Sequence, residues 1–306
     1  MKASLIIPTL NRQARLCHTL QLALAQDYPD LEIIVIDQTV ETSEELAALL
    51  ALSAGRITYL RFNPPNLPAA RNRGLAAAAG EIAIFIDDDV LFDVGFVSSH
   101  MRNHVGPETC AVMGLTLPRS DADQPLLQLS KDRKEYGLPA YVRVGDVCEA
   151  RWILGGNTSV PRAAARAVCG FDEYYSGSSA CEDVDFSQRL RRTGVRLFMD
   201  TRTRLIHLQE AAGGCEKRNA DHREMTGVED FRYTIYFLAR HAFVIGATDT
   251  ISRLWFAYRR FVLNRVAFKR GLGFILARHL LGMRLCIRAF RDARRGFPKA
   301  VPLRTA

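Results

Sequence analysis

The apolar run ending in Phe85 and Ile86 stops abruptly at three acids, Asp87, Asp88 and Asp89. Like charges gathered at one strand end repel, so a counter-charge is expected beside them. A divalent cation bridging to a diphosphate would supply it, because Mg²⁺ or Mn²⁺ is usually held by one or two carboxylates together with phosphate oxygens. A solvated acidic turn or a helix cap would carry the same residues with no ligand at all. The two accounts are separated by where the acids sit in the fold.

A second acidic group, Glu182, Asp183 and Asp185, follows Cys181 and precedes Phe186, Leu190 and the basic Arg189, Arg191 and Arg192. Acids that open a helix complement its dipole, which is one account. The other is chemical: one carboxylate accepts the proton of an attacking hydroxyl, a role that needs a base within hydrogen-bond reach. His207 closes an apparent strand shortly before Gly213 and Gly214. Alone, it fits a satisfied core or surface histidine as well as a metal ligand.

These residues need elements to hold them. Short runs rich in Val, Ile and Leu, namely Ala3 to Ile7, Leu31 to Ile36, Ile57 to Arg61, Ile82 to Ile86 and Cys110 to Leu115, alternate with helix-length segments. That alternation predicts βαβ units and a mostly parallel, Rossmann-like sheet buried on both faces. Ligands bind such sheets at the carboxyl ends of the strands. Polar residues gather there: Pro8, Thr9, Leu10 and Asn11 after the first strand, Asp37, Gln38 and Thr39 after the second, and the three acids after the fourth. This position favours a metal or ribose contact over a solvated turn. Residues 116–150 lack clear periodicity and read as a loop-rich insertion able to shape an acceptor pocket.

The 306 residues, 48% of them apolar, can bury one large core with a small appendage. Seven cysteines without a CxxC pair suggest neither a zinc ribbon nor a disulfide framework, and read as reduced cytoplasmic thiols. Pro8 and Asn11 cut the N-terminal apolar run short of a signal-peptide core, and Arg278 and His279 break the best late apolar stretch, so neither secretion nor a membrane span is expected. The net charge of +8 conceals an asymmetry: residues 251–306 hold fourteen Lys or Arg and one acid, giving +13 against −5 for the rest.

Taken in order, the segments Ser4 to Arg12 (SLIIPTLNR), Glu32 to Asp37 (EIIVID), Ala70 to Gly74 (ARNRG), Gly80 to Asp89 (GEIAIFIDDD), Gly155 to Val160 (GGNTSV) and Glu182 to Asp183 resemble glycosyltransferase family 2. The likeness covers about residues 3–215 and implies a GT-A fold with an inverting mechanism. By resemblance, Asp37 would contact the nucleobase or its ribose, with Thr9 and Asn11 lining that pocket and Arg71 near the nucleobase and diphosphate. Asp87 and Asp89 match the family's DxD motif, the first facing the ribose and the last the metal, with Asp88 pointing away. Glu182 and Asp183 match its ED motif, in which the Asp is the general base, and His207 matches a metal-ligand histidine found in part of the family. Glu182, Gly156 and Asn157 fall on the acceptor side. Asp37, Gln38 and Thr39 depart from the second acid, Gly and Ser of many relatives, which leaves the donor base open.

The resulting expectation is a metal-dependent enzyme, using Mg²⁺ or Mn²⁺, that moves a sugar from a nucleotide-diphospho-sugar donor to a glycan or lipid-linked acceptor. Residues 1–225 would form the GT-A domain, with a donor half over about 1–115 and an acceptor half over about 116–225, followed by a basic helical extension over 226–306. A QxxRW motif, carried downstream by processive relatives, does not occur in the sequence, which favours single transfer over polymer synthesis. A nucleotidyltransferase of related fold would need a glycine-rich loop after the first strand, where the chain has Pro8 to Asn11. The pI of 9.3 raises nucleic-acid binding, but the basic excess lies outside the acidic core and no RRM, KH or zinc-finger pattern occurs. Aromatic and aliphatic residues from Trp255 to Leu276, interleaved with Arg and Lys, suit equally a helix on an anionic membrane surface and a helix pair packed on the core. The first would make a cytoplasmic protein peripheral on the inner face of the cell membrane.

Overall fold

The computed structural model describes residues 1–296 apart from 54, 107, 119–125, 129–137, 139–140, 178, 209–212 and 215–221. In chain order the elements are β1 (Ala3–Thr9), α1 (Gln13–Leu24), β2 (Leu31–Asp37), α2 (Glu44–Leu52), β3 (Ile57–Arg61), α3 (Leu67–Ala77), β4 (Ile82–Ile86) and β5 (Val90–Leu91). There follow α4 (Phe96–Met101), β6 (Cys110–Pro118), β7 (Leu126–Gln128), β8 (Tyr141–Arg143), β9 (Val147–Glu149), β10 (Asn157–Pro161), α5 (Arg162–Ala167), α6 (Glu182–Arg192) and β11 (Arg196–His207). Four helices close the described chain: α7 (His222–Ile245), α8 (Ala247–Phe261), α9 (Arg265–Arg270) and α10 (Leu272–Arg295).

The five strands expected from the apolar runs all form, with β1 and β6 extending past their predicted ends to Thr9 and Pro118. The main sheet has the order β3-β2-β1-β4-β10-β6-β11-β5, with β9 paired to β11. β3, β2, β1 and β4 are mutually parallel, β10 runs antiparallel between β4 and β6, and β11 lies parallel to β6. Side chains alternate between two cores, as the strand period requires. Leu5, Ile7, Ile33, Val35, Ile82 and Ile84 face α1 and α2, packing with Leu16, Leu20 and Leu46. Ile6, Ile34, Ile36, Ala83 and Phe85 face the other way, towards Ala70 and Leu75 of α3.

The chain turns outward from β1 through β2 to β3, then returns to lay β4 on the other side of β1. That reversal makes a crevice at the carboxyl ends of β1 and β4, the position where open α/β sheets bind ligands. Thr9 ends β1 there, and the three acids follow Ile86 of β4. The distant His207 joins them through a short pairing: β5, immediately after the acids, runs antiparallel to the end of β11, with His207 opposite Val90. The Leu208 amide donates to the Asp89 carbonyl at 2.9 Å and fixes that junction.

The last helices pack through aromatic side chains. Phe231, Tyr233 and Tyr236 of α7 meet Tyr175, Phe261 and Ala289 in one cluster, and Phe237 stands edge-on to Trp152 at 6.3 Å. Of the tail residues, Phe261 and Val262 are therefore core, whereas Trp255, Phe256, Phe268 and Leu276 are exposed. Among the described residues, no helix is long and apolar enough to cross a membrane. Much of the insertion expected over 116–150 lies outside the described residues; its described part includes the hairpin of β7 and β8 and the edge strand β9.

Candidate active site

A cleft of about 510 Å³ opens at the strand ends, with Thr9, Arg12, Asp87, Asp88 and Gly156 on the sheet side and Arg71, Glu182, Asp183 and His207 around it. The acid run does not fan into solvent. Asp88 accepts from Thr9 Oγ1 at 2.6 Å and lies 3.4 Å from Arg12 Nη1, and the same Arg12 nitrogen stands 3.2 Å from Asp89 Oδ2. Burial pushes the Asp88 carboxyl up to about 7, against the lowering pull of the Thr9 hydroxyl and Arg12. Burial likewise raises Asp87, opposed by Arg71 and His207. These groups form a compensated network in which charge is held close to its opposite.

The expectation that Asp88 points away is corrected: its carboxylate faces the cleft and ties Arg12 to Thr9. Asp89 sits deeper, its side chain wholly buried, with Oδ1 3.0 Å from His207 Nε2. The same imidazole nitrogen is 3.8 Å from Asp87 Oδ2. The hydrogen bond to Asp89 raises the His207 pKa, with the charge of Asp87 acting in the same direction and burial against it.

Arg71 is the hub of the opposite wall. It emerges from the buried face of α3, a helix started by the Asn66 side chain accepting from Ala69 N. Its guanidinium packs 5.2 Å from the Phe171 ring centre and reaches three acids: Glu182 in a close ion pair, Asp183 Oδ1 at 3.3 Å and Asp87 Oδ1 at 3.7 Å. Arg71 thereby connects the acids after β4 with those opening α6. Glu182 is buried against it, and that burial pushes its carboxyl well above the usual carboxylate range despite Arg71. Asp183 is the more open of the pair, its side chain 23% exposed against 4% for Glu182. Neither acid is the helix cap; that position belongs to Cys181, at φ 71 and without a side-chain cap bond.

Glycines let the walls approach. A Cβ on Gly156 would press on the Asp87 carboxylate, so glycine there lets the segment leading into β10 lie beside that acid. Gly214, at φ 69, donates its amide to Leu10 O at 2.8 Å and lies against the Arg12 guanidinium. The pair after His207 thus folds back over the turn that follows β1.

Three expected site residues stand elsewhere. Asp37 is wholly buried, and its carboxylate accepts from Gln13 Nε2 at 2.6 Å, Tyr59 OH at 2.8 Å and Thr39 N at 2.7 Å, which ties the β2 end together. Asn157 is buried, its Oδ1 3.0 Å from His100 Nε2 and its Nδ2 donating to Thr203 O at 3.2 Å, so it links β10 to α4 and β11. Asn11, exposed and at φ 56, shapes the turn after β1 and is not among the cleft-lining residues. Asparagine tolerates that left-handed conformation better than most residues. Conversely, Arg12 was legible only as the end of the SLIIPTLNR segment. The three acids imply a nearby cation, and Arg12 is the basic residue in the turn after β1.

The helix bearing the second acid pair is anchored by Asp185. Its wholly buried carboxylate meets Arg189 Nε at 2.7 Å and His241 Nε2 at 2.7 Å, with Arg240 Nη1 at 4.0 Å. Burial would raise this carboxyl, but Arg189, His241 and Arg240 outweigh it and hold it well below the usual range. Asp185→Asn is therefore expected to destabilise the protein by about 3–5 kcal/mol near neutral pH, the cost of breaking a buried pair. Because the folded pKa is depressed, this stabilisation is present above the unfolded value and is lost as pH falls below about 4. Denaturant melts at several pH values check it, and a constant gap between variant and parent down to pH 3 would refute the assignment.

Among the described residues, no three His, Cys, Asp or Glu side chains are preassembled into a metal cage. The donor set is nonetheless suited to a divalent ion. His207 Nε2 stands between Asp87 at 3.8 Å and the deeper Asp89 at 3.0 Å, carboxylate and imidazole donors of the kind that Mg²⁺ or Mn²⁺ accepts.

The sheet order and the position of the cleft define a GT-A glycosyltransferase fold. The structure of a mannosyltransferase from Pyrobaculum calidifontis, in complex with GDP-Man and Mn²⁺, superposes with a TM-score of 0.55 at 16% identity, covering 99% of this chain and 84% of that one. Residues 4–141 match the family model for glycosyl transferase family 2. The O-antigen biosynthesis protein RfbC of Myxococcus xanthus is 26% identical over 235 residues, 69% of this chain and 18% of that protein. A GalNAc(5)-diNAcBac-PP-undecaprenol beta-1,3-glucosyltransferase of Campylobacter jejuni is 36% identical over 104 residues, 33% of this chain and 34% of that protein. The chain thus spans about a third or less of the length of these two relatives.

Proposed function

We propose that this protein is an inverting glycosyltransferase that moves a sugar from a nucleotide-diphospho-sugar donor to a hydroxyl of a glycan or lipid-linked glycan, in the assembly of a cell-envelope polysaccharide. The observation that carries the reading is the single cleft in which the acids after β4, His207 and the Glu182–Asp183 pair face one another across Arg71.

In this reading, Thr9, Arg71 and Asp87 hold the donor, with Arg12 added to the set because its guanidinium borders the same acids. Asp89 and His207 would hold the Mg²⁺ or Mn²⁺, which when bound offsets the charge that grows on the departing diphosphate. Asp183, the more exposed of the two acids opening α6, takes the proton of the attacking hydroxyl. Glu182, locked to Arg71, positions that acid and the acceptor side of the cleft, with Gly156 leaving room beside Asp87. A single base opposite the leaving group gives one displacement and hence inversion. A pair of glycosidase carboxylates would instead need one protonated partner across the bond.

The basic C-terminal helices would hold the enzyme on the inner face of an anionic membrane, where a lipid-linked acceptor is found. Residues 1–225 serve in this reading as the catalytic domain, with donor and acceptor halves meeting near 115, and 226–306 as the extension. The test of function is a donor screen that follows released nucleoside diphosphate, with and without Mn²⁺. One nucleotide sugar should give acceptor-dependent release stimulated by the metal. Release of pyrophosphate from a nucleoside triphosphate, with no nucleotide sugar accepted, would overturn the reading in favour of nucleotidyl transfer.

A further inference from the structure

A surface helix usually turns its apolar stripe inward. α10 does so with Gly282 and Ala289, which are buried towards Phe231 and Phe261. It also carries a second stripe facing out: Leu276, Leu280, Met283, Ile287 and Phe290, at helical spacing and each about half exposed. Beside that stripe, at the same spacing, run Arg284, Arg288, Arg291 and Arg295. Ile251, Leu254 and Trp255 of α8 face the stripe across a groove of about 640 Å³, whose floor is Phe231 and Gly282. This volume falls within the range of small-molecule sites, and its lining is almost wholly apolar. Contiguous exposed apolar patches mark interaction surfaces.

Charge selects the occupant. From residue 251 onward the chain carries +13, so a second copy laid on this face would bring two such fields together. An apolar groove on so basic a tail is complementary to an anionic phospholipid, whose alkyl chain suits the lining and whose headgroup charge suits the helices around it. We propose that the groove between α8 and α10 takes up a hydrocarbon chain of an anionic phospholipid, seating both helices in the bilayer interface. This rests on the membrane-surface reading of the C-terminal helices and adds a defined chain-binding site to it. Gly282 keeps the floor open. A Cβ there would meet Phe231 and Phe261 at an ordinary 3.6 Å, so alanine fits while leucine fills the groove.

The chain has two tryptophans, and Trp152 is buried, so a lipid-dependent fluorescence change reports Trp255 in the groove. The full chain is titrated with dihexanoyl phosphatidylglycerol below its micelle concentration, and in parallel sedimented with vesicles of phosphatidylglycerol or of phosphatidylcholine alone. The expected result is co-sedimentation with the anionic vesicles, and a saturable Trp255 response that survives Gly282→Ala, is lost in Gly282→Leu and is absent in Trp255→Phe. Vesicle binding without a saturable response, or with one unchanged in Gly282→Leu, would overturn the groove and leave the surface reading standing. Absence of binding to anionic vesicles would overturn both. A lipid-free dimer seen by sedimentation and abolished by Gly282→Leu would show that the occupant is a second copy, against the proposal. None of these measurements depends on sugar transfer, so they are independent of the enzymatic reading.

Discussion

Asp183→Asn should fold and bind the donor as the parent does, yet turn over roughly 10²- to 10⁴-fold more slowly, the usual contribution of a positioned general base. The substitution keeps size and polarity and removes only the group able to take the acceptor's proton. Donor binding is expected to survive because its contacts are assigned to Thr9, Arg12, Arg71 and Asp87, on other elements. Arg71 loses one of three acidic neighbours at 3.3 Å but keeps its closer pair with Glu182. Glu182→Gln should be milder, since Glu182 acts through Arg71 and Asp183 and not on the acceptor proton. Calorimetric donor affinity and product-release rates on both variants make the comparison. Near-parental turnover in folded Asp183→Asn would leave the pair as no more than charges complementing the α6 dipole.

Arg71 gives this comparison its physical interest. One guanidinium, buried to 3% exposure, reaches the acid after β4 and the two that open α6, so the two walls of the cleft share a cation. Asp183 is the more loosely held of its two α6 partners.

The strands were legible because a sheet buried on both faces leaves continuous apolar runs, and the acids were legible because a charge run after such a strand is unusual. Side-chain direction was not. Asp37 and Asn157 match the family's motifs, but each is fully engaged by neighbours that come from other elements: Tyr59 and Gln13 for the first, His100 and Thr203 for the second. Those neighbours lie 20 or more residues away along the chain and have no local signature. Asp88 was misread for a related reason. The DxD match says nothing of the middle acid's neighbours, and β4 ends at Ile86, so the acids lie on a turn beyond the strand. The turn that follows brings Asp88 and Asp89 to Arg12, and Asp87 and Asp89 to His207. The tail showed the reverse limit: its composition suited packing and a membrane surface equally, and the helices divide the residues between the two, Phe261 inward and Trp255 outward.

Asp89→Ala should lose both metal dependence and donor binding, because its carboxylate is the deepest point at which His207, Arg12 and the incoming charge meet. In the parent, transfer should cease in EDTA and return with Mg²⁺ or Mn²⁺. Removing Asp89 takes from His207 its nearer acidic neighbour, Asp87 standing at 3.8 Å, and takes from Arg12 one carboxylate while Asp88 remains at 3.4 Å. The drop in metal affinity should exceed the roughly 10- to 100-fold that loss of an outer-shell partner costs. His207→Ala should weaken the metal while sparing more of the donor affinity, since Asp87 and Asp89 both remain. Asp88→Asn keeps an acceptor for Thr9 but removes the charge facing Arg12, so it should lower donor affinity without abolishing the metal response. Isothermal titration with Mn²⁺ and with donor, on each variant and with folding verified, separates these outcomes. Full transfer in EDTA by metal-free parent protein would remove Asp89 and His207 from the metal assignment. Their 3.0 Å contact would then stand as the charge pair that lets three acids occupy one strand end.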